Sequence, residues 1–230
     1  MALCVPVVAA LLLPASALAT AADDHLAARA REALGRAAAY FRDEVAVHGS
    51  YGWRYSADLT YRRGEDLLTS SQGWVQPPGT PAVGLALMQA YAATGDRRFL
   101  DGAAETARAL AATQLESGGW HYMIEFDPEQ QKAWCYRNVP EDRRDRAARA
   151  ENKRCDASTV DDNISQSALV LLMQVDVALH GDDPLIRDAV DYGLAKFIEA
   201  QYPNGAWPVR FDQRVPSSRA WSAARARYPE

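Results

Sequence analysis

The hydrophobic positions along the chain predict pairs of helices of two kinds. In residues 185–198 and 99–111 apolar side chains recur every three or four positions and leave a charged opposite face, as in an amphipathic helix. The segments before them, 168–178 and 83–91, are apolar on nearly every side, which is typical of a helix buried all round. The pattern therefore predicts helical hairpins in which a buried helix precedes an amphipathic one.

These hairpins belong to an internal repeat. Residues 95–120 (GDRRFL…QLESGGW) align with residues 181–207 (GDDPLI…QYPNGAW), and a partial third copy, HGSYGW at 48–53, also follows a helical stretch. Each copy ends a helix in a glycine-containing turn that delivers a tryptophan.

Alternating buried and amphipathic helices favour an inner layer wrapped by an outer one. We therefore predict an all-α protein with an α/α toroid architecture and minor β content near residues 120–126. A simple antiparallel helix bundle is the alternative, but it leaves the repeated turns unexplained. Three turns correspond to an incomplete ring, so we expect the toroid to be truncated on its C-terminal side.

The first residues are typical of an export signal. Residues 5–18 are apolar or small, in a run shorter than the about 20 residues of a membrane span. Small residues that fit A-x-A cleavage follow at 17–21. We expect a signal peptide at 1–21, a secreted or periplasmic mature domain at 22–230, and no membrane association after cleavage; a buried N-terminal helix is the alternative.

Composition and charge narrow the class of protein. The 230 residues are 48% hydrophobic and 24% charged, as in one globular domain, and we expect a monomer. A net charge of −5 argues against nucleic acid as a partner but allows a bound cation. The sequence contains no P-loop, G-x-S-x-G, H-E-x-x-H or Rossmann glycine motif.

The mature chain has two cysteines, which flank most of a charged insertion at about 127–158. In an oxidising compartment Cys135 and Cys155 can close a loop of about 20 residues with a disulfide. Two unpaired thiols are the alternative, and no C-x-x-C redox or zinc motif is present.

Candidate site residues are concentrated at the turns. Asp161, Asp162 and Asn163 precede a helix, where one such residue suffices as a cap; three adjacent oxygen-bearing side chains also suit calcium or magnesium. Both interpretations stay open. The candidate substrate-binding residues are mostly aromatic and lie mainly on the turns, where flat rings can pack against sugars: Trp53, Trp74, Trp120, His121, Tyr122, Tyr202, Asn204, Trp207 and Arg210. The alternative for each tryptophan is that it only plugs its own hairpin.

Three segments resemble family 10 pectate lyases. AQYPNGAWP at 200–208 is similar to their AQYPNGGWPQ motif, and TVDD at 159–162, followed by LVLL at 169–172, is similar to their TIDNGATTTQLRFL element. WVQPPGTPAVG at 74–84 suggests a divergent, secreted branch. The resemblance spans roughly residues 49–211 and independently implies an α/α toroid.

The resemblance implies calcium-assisted β-elimination on polygalacturonate. Asp161 and Asp162 match the acidic calcium-binding pair of the family, although Asp162 stands in place of its Asn and Asn163 in place of its Gly. The family's later Phe-Asn-Asp element and its base, an arginine, have no match before Glu230, so we assign no catalytic base.

Two further functions fit the same residues. A glycoside hydrolase would use two carboxylates, Asp161 or Asp162 with Glu125 or Asp127. A non-catalytic carbohydrate-binding domain would use the tryptophan turns alone.

Overall fold

A computed structural model describes residues 21–212 of the chain, which are predominantly helical, as the sequence predicts. All but the last residue of the predicted signal peptide lies outside this range. The α-helices are α1 (Ala21–Tyr40), α2 (Thr80–Thr94), α3 (Arg97–Ala112), α4 (Pro128–Gln131), α5 (Arg146–Glu151), α6 (Ile164–Ala178) and α7 (Pro184–Ala200). The strands are β1 (Arg54–Tyr55), β2 (Arg62–Arg63), β3 (Gln72–Trp74), β4 (Met123–Glu125), β5 (Ser158–Thr159) and β6 (Arg210–Phe211).

The described chain consists of two compact units. Residues 21–36, most of α1, form the first, and residues 37–212 form the second, which contains all the other elements. None of the helices in the described range is both long enough and apolar enough to cross a bilayer.

The two hairpins are α2–α3 and α6–α7, and each connection is built in the same way. A glycine with left-handed backbone, Gly95 (φ 69°) or Gly181 (φ 78°), follows the first helix, a conformation that favours a residue without Cβ. An aspartate then caps the second helix. Asp96 accepts from the Arg98 amide (3.0 Å), and Asp183 accepts from the Leu185 amide (3.1 Å).

The core lies between these hairpins, with α3 packed on α2, α6 and α7. Leu110, Leu172 and Ile186 are among its completely buried side chains. The expectation that the first helix of each hairpin is buried all round is wrong for α6. Val177 is 73% exposed, and Val170 and Met173 are also exposed, because the described neighbours of α6 cover only its other side.

The internal repeat is present at the level of single hydrogen bonds. The Trp120 indole N–H donates to the Leu110 carbonyl (2.9 Å), and the Trp207 indole N–H donates to the Phe197 carbonyl (2.8 Å), ten residues back in both cases. Gln114 donates to the Gly118 carbonyl (2.9 Å) as Gln201 does to the Gly205 carbonyl (2.8 Å), each four residues ahead. The same turn therefore closes both hairpins.

Backbone hydrogen bonds join the turns side by side at one end of the helices, where α2 and α6 begin and α3 and α7 end. The Trp74 amide donates to the Tyr51 carbonyl and the Val75 amide to the Tyr122 carbonyl. The Thr159 amide donates to the Trp120 carbonyl and the Val160 amide to the Val209 carbonyl. Strand β3 pairs antiparallel with β4, and β5 with β6, at the same end. We call this the shared end; the predicted β content near 120–126 is strand β4.

The charged insertion is folded onto the α3 turn. A disulfide joins Cys135 to Cys155, and the Cys135 amide donates to the Cys155 carbonyl (3.0 Å). Inside it, Trp134 and Tyr136 stack at 5.7 Å beside Leu115. This small core explains how a segment rich in charged residues keeps a fixed path.

Candidate functional site

Aromatic rings form a continuous cluster at the shared end. Trp53 meets Trp74 edge-on with ring centroids 5.9 Å apart, and Trp74 lies 6.0 Å from Tyr122. Tyr122 then contacts His121 (5.5 Å), which contacts Trp134 (5.4 Å). We call these five residues the aromatic cluster. Its members come from four separate segments, so the cluster exists only because the turns are joined.

Gln76 links the aromatic cluster to the turn formed by Asp161, Asp162 and Asn163, which we call the acidic turn. Its backbone carbonyl accepts from the Trp53 indole N–H (2.7 Å), and its side-chain oxygen accepts from that of Trp74 (3.1 Å). Its side-chain amide donates to the Asp162 carboxylate (2.9 Å). Gln76 is buried, so the backbone and side chain of one residue together fix the positions of two rings and one carboxylate.

The acidic turn does not serve as a helix cap. Asn163 occupies the capping position of α6 but makes no side-chain capping bond, unlike Asp96 and Asp183 in the same fold. Asp162 (φ 52°) and Asn163 (φ 59°) both have left-handed backbone, which is unfavourable for residues other than glycine. This strained turn exposes the carboxylates of Asp161 and Asp162 to solvent.

Arg210 adds a cation to the same end. It pairs with Thr159 in the β5–β6 ladder, and its guanidinium lies over the Tyr122 ring at 5.7 Å from the centroid. Arg210 is exposed and Tyr122 is half-buried, so a ligand can reach both. The arrangement suits a sugar that carries an anionic group.

His121 is the buried member of the aromatic cluster. Neither ring nitrogen has a hydrogen-bond partner in the described part of the chain, and only 9% of the residue is exposed. Burial, together with the positive charges of Arg154 and Arg210, lowers the pKa of His121 to about 4. The imidazole is therefore neutral at neutral pH.

The structure places several predicted substrate-binding residues elsewhere. Trp120 is completely buried, and Trp74 is only 2% exposed, so neither presents a ring face to a ligand. Trp120 and Trp207 both bond to their own hairpin, in agreement with the alternative that each plugs it, although Trp207 keeps an exposed ring. Asn204 is exposed but accepts from the Ala206 amide (3.1 Å) within its turn, where Tyr202 also lies.

The carboxylates expected for a glycoside hydrolase are engaged in structural bonds. Glu125 is 2% exposed and accepts from the Asp127 amide (2.8 Å) and from the Gln72 side chain (2.9 Å). Asp127 caps α4 through the Glu129 amide (2.8 Å). These contacts argue against the predicted pairing with Asp161 or Asp162.

The acidic turn fits part of a calcium site. Its carboxylate oxygens are the hard ligands that calcium prefers, but the ion takes six to eight oxygens. Between residues 21 and 212 no group of three His, Cys, Asp or Glu side chains is arranged to hold a metal. Asp161, Asp162 and Asn163 would therefore share the ion with oxygens from a ligand or from water.

The sequence did not identify Gln76 or Trp134 as site residues. Gln76 lies in the WVQPPG segment, between Trp74 and two prolines, but nothing in its spacing indicates a bond to a carboxylate 86 positions away. Trp134 lies in the insertion next to Cys135, and only the folded loop brings it to His121.

Comparison with known proteins gives no relative for this site. No family model matches the chain, and no curated protein or solved structure matches it significantly.

Proposed function

We propose that the chain is a secreted polysaccharide lyase that cleaves polygalacturonate by calcium-assisted β-elimination. The observation that carries this proposal is the link through Gln76 between the Asp162 carboxylate and the indoles of Trp53 and Trp74. It fixes an acidic turn suited to a hard cation beside the half-buried ring of Trp53, whose face is suited to a sugar. The sequence resemblance to family 10 pectate lyases points to the same chemistry.

Each part of the site has a chemical role in this proposal. Asp161 and Asp162 would hold a calcium ion, which when bound would neutralise a uronate carboxylate and acidify the proton on C5. The half-buried rings of Trp53 and Tyr122 orient the sugar, and Arg210 pairs with a carboxylate. A base removes the C5 proton, the electron pair forms the C4–C5 double bond, and the C4–O bond breaks. The leaving oxygen takes up a proton from water. We assign no residue as the base.

The finer architecture is part of the proposal. Two equivalent hairpins, packed side by side with identical closing turns, are the unit from which an α/α toroid is built. We propose that α2–α3 and α6–α7 are neighbouring hairpins of an incomplete ring.

Replacing one carboxylate tests the proposed role of the acidic turn. Elimination gives an unsaturated sugar that absorbs ultraviolet light, so Asp161→Ala is expected to reduce the rate of absorbance increase on polygalacturonate by at least about tenfold. Asp191→Ala, which removes an exposed carboxylate from α7, is the matched control and keeps the rate. Unchanged activity in Asp161→Ala would remove the assigned role.

A non-catalytic carbohydrate-binding domain is the second candidate. It is favoured by the absence, within residues 21–212, of a third His, Cys, Asp or Glu side chain placed to hold a metal with Asp161 and Asp162. This candidate predicts that oligogalacturonate binds without turnover. Trp53→Ala would then weaken binding about tenfold, since stacking on an aromatic ring is lost, whereas Tyr40→Ala, which removes an exposed ring at the end of α1, would leave binding unchanged.

A further inference from the structure

A cavity of about 310 Å³ lies beside the disulfide. Its lining comes from the second half of the charged insertion and from the residue after β6: Arg149, Asn152, Lys153, Cys155, Asp156, Ala157 and Asp212. None of these residues belongs to the aromatic cluster or the acidic turn. The volume is within the range of small-molecule sites.

Arg149 is a lining residue of the cavity whose guanidinium carries hydrogen-bond donors without a partner in the described chain. One guanidinium nitrogen, Nη1, pairs with Glu116 at 3.2 Å, while Nε and Nη2 are buried without a hydrogen-bond partner in the described chain. Nε–H and one Nη2–H point the same way and form the fork that a carboxylate accepts with both oxygens. Both nitrogens are buried, so a carboxylate would reach them only after the guanidinium turns toward the cavity that Arg149 lines.

The other charged lining residues suit a ligand that carries hydroxyl groups as well as a carboxylate. Lys153 is exposed and adds a second positive charge to the rim. Asp156, which accepts from the Ser117 amide (2.7 Å), and Asp212 supply carboxylate oxygens that accept further hydrogen bonds from hydroxyl groups. A ligand with one carboxylate and several hydroxyls therefore satisfies both kinds of lining.

We propose that this cavity is a binding site for one sugar-acid unit, with its carboxylate on Arg149 and its hydroxyls toward Asp156 and Asp212. The choice of sugar acid as the ligand class rests on the proposed function, whereas the cavity and its charges do not. This proposal assigns a function to the charged insertion, since the disulfide fixes Cys155, which lines the cavity.

Calorimetric titration of the full chain with D-galacturonate, and with neutral D-galactose as the matched probe, tests the site. We expect galacturonate to bind at least about tenfold more tightly than galactose, because only galacturonate carries the charge that the fork accepts. Arg149→Gln is expected to weaken galacturonate binding about tenfold, and Arg149→Lys nearly as much, since lysine keeps the charge but lacks the fork. Arg146→Gln, on the same helix but outside the cavity, keeps the affinity.

Arg149 also pairs with Glu116, so a second variant tests the site without touching that pair. Lys153→Glu reverses an exposed charge and is expected to weaken galacturonate binding several-fold. Equal affinities in wild type, Arg149→Gln and Lys153→Glu, or equal affinity for the two sugars, would overturn the site.

The two proposals fail separately. If the chain shows calcium-dependent elimination but its galacturonate binding does not depend on Arg149, only the cavity site is contradicted. If the chain shows no elimination activity, but galacturonate binding depends on Arg149 and persists in Asp161→Ala, the cavity site is supported and only the lyase is contradicted.

Discussion

The Gln76 side-chain amide donates to the Asp162 carboxylate at 2.9 Å, across 86 positions of sequence. The same side chain accepts from the buried indole N–H of Trp74 (3.1 Å). The segments that precede α2 and α6 are thereby held in one geometry. A ligand that contacts the acidic turn and the aromatic cluster together depends on this single glutamine.

Gln76→Ala is expected to lower the free energy of unfolding by about 2 kcal/mol, since the Trp74 indole N–H then has no acceptor in a buried position. Urea denaturation measures the change. Gln174→Ala, an exposed glutamine on α6, is the control and should stay within about 0.5 kcal/mol of wild type. Equal stability of Gln76→Ala and wild type would show that the link contributes nothing to folding.

The two equivalent tryptophans should differ in their contribution to stability. Trp120→Phe removes the bond to Leu110 and leaves a gap in the core, so we expect a loss of about 2–4 kcal/mol. Trp207→Phe removes the same bond, but 43% of Trp207 is exposed, so we expect a loss below about 1 kcal/mol. Guanidinium unfolding curves compare the two variants, and a larger loss for Trp207→Phe contradicts the assignment of Trp120 to the core.

Stability should depend on pH through His121. Its pKa is lowered to about 4 in the folded chain, against about 6.5 in the unfolded chain. The unfolded state therefore binds more protons between these values, and the free energy of unfolding falls as pH decreases from about 6.5 to about 4. The loss reaches up to about 3 kcal/mol.

His121→Phe is expected to flatten this part of the profile, whereas His180→Gln, an exposed histidine after α6, keeps it. Thermal unfolding at a series of pH values gives the measurement. If the wild-type and His121→Phe profiles are parallel between pH 4 and 6.5, the imidazole does not titrate as described.

The disulfide should stabilise the chain by constraining the unfolded state. Cys135 and Cys155 are 20 positions apart, a loop for which the chain-entropy model gives roughly 3 kcal/mol. The double variant Cys135→Ser, Cys155→Ser is expected to lose about that amount in denaturant unfolding. The oxidised and reduced wild type provide the matched pair. Equal stability of the two forms would contradict the predicted contribution of the disulfide.

The periodicity of apolar residues predicted the helices well, because a helix with one buried face has apolar side chains at every third or fourth position. The repeated glycines predicted the turns for a similar reason, since Gly95 and Gly181 adopt the left-handed backbone that glycine favours. The exposed side of α6 could not be predicted, because Val170 and Val177 are apolar residues that the described neighbours leave uncovered.

The candidate site was harder to predict than the fold. Tryptophan identity does not reveal exposure, so Trp53 in the aromatic cluster and Trp120 in the core look equivalent in sequence. Gln76 has no distinguishing pattern, and its role depends on a contact between segments far apart in the chain. Such contacts follow from packing and not from local spacing.

Turnover of polygalacturonate by the folded chain, followed by ultraviolet absorbance with calcium and then with a chelator, tests the central claim most directly. The account predicts absorbance that grows with calcium, stops when the chelator is added and resumes when calcium is restored. A flat trace from a chain whose circular dichroism confirms its helices, with calcium present, would contradict the lyase.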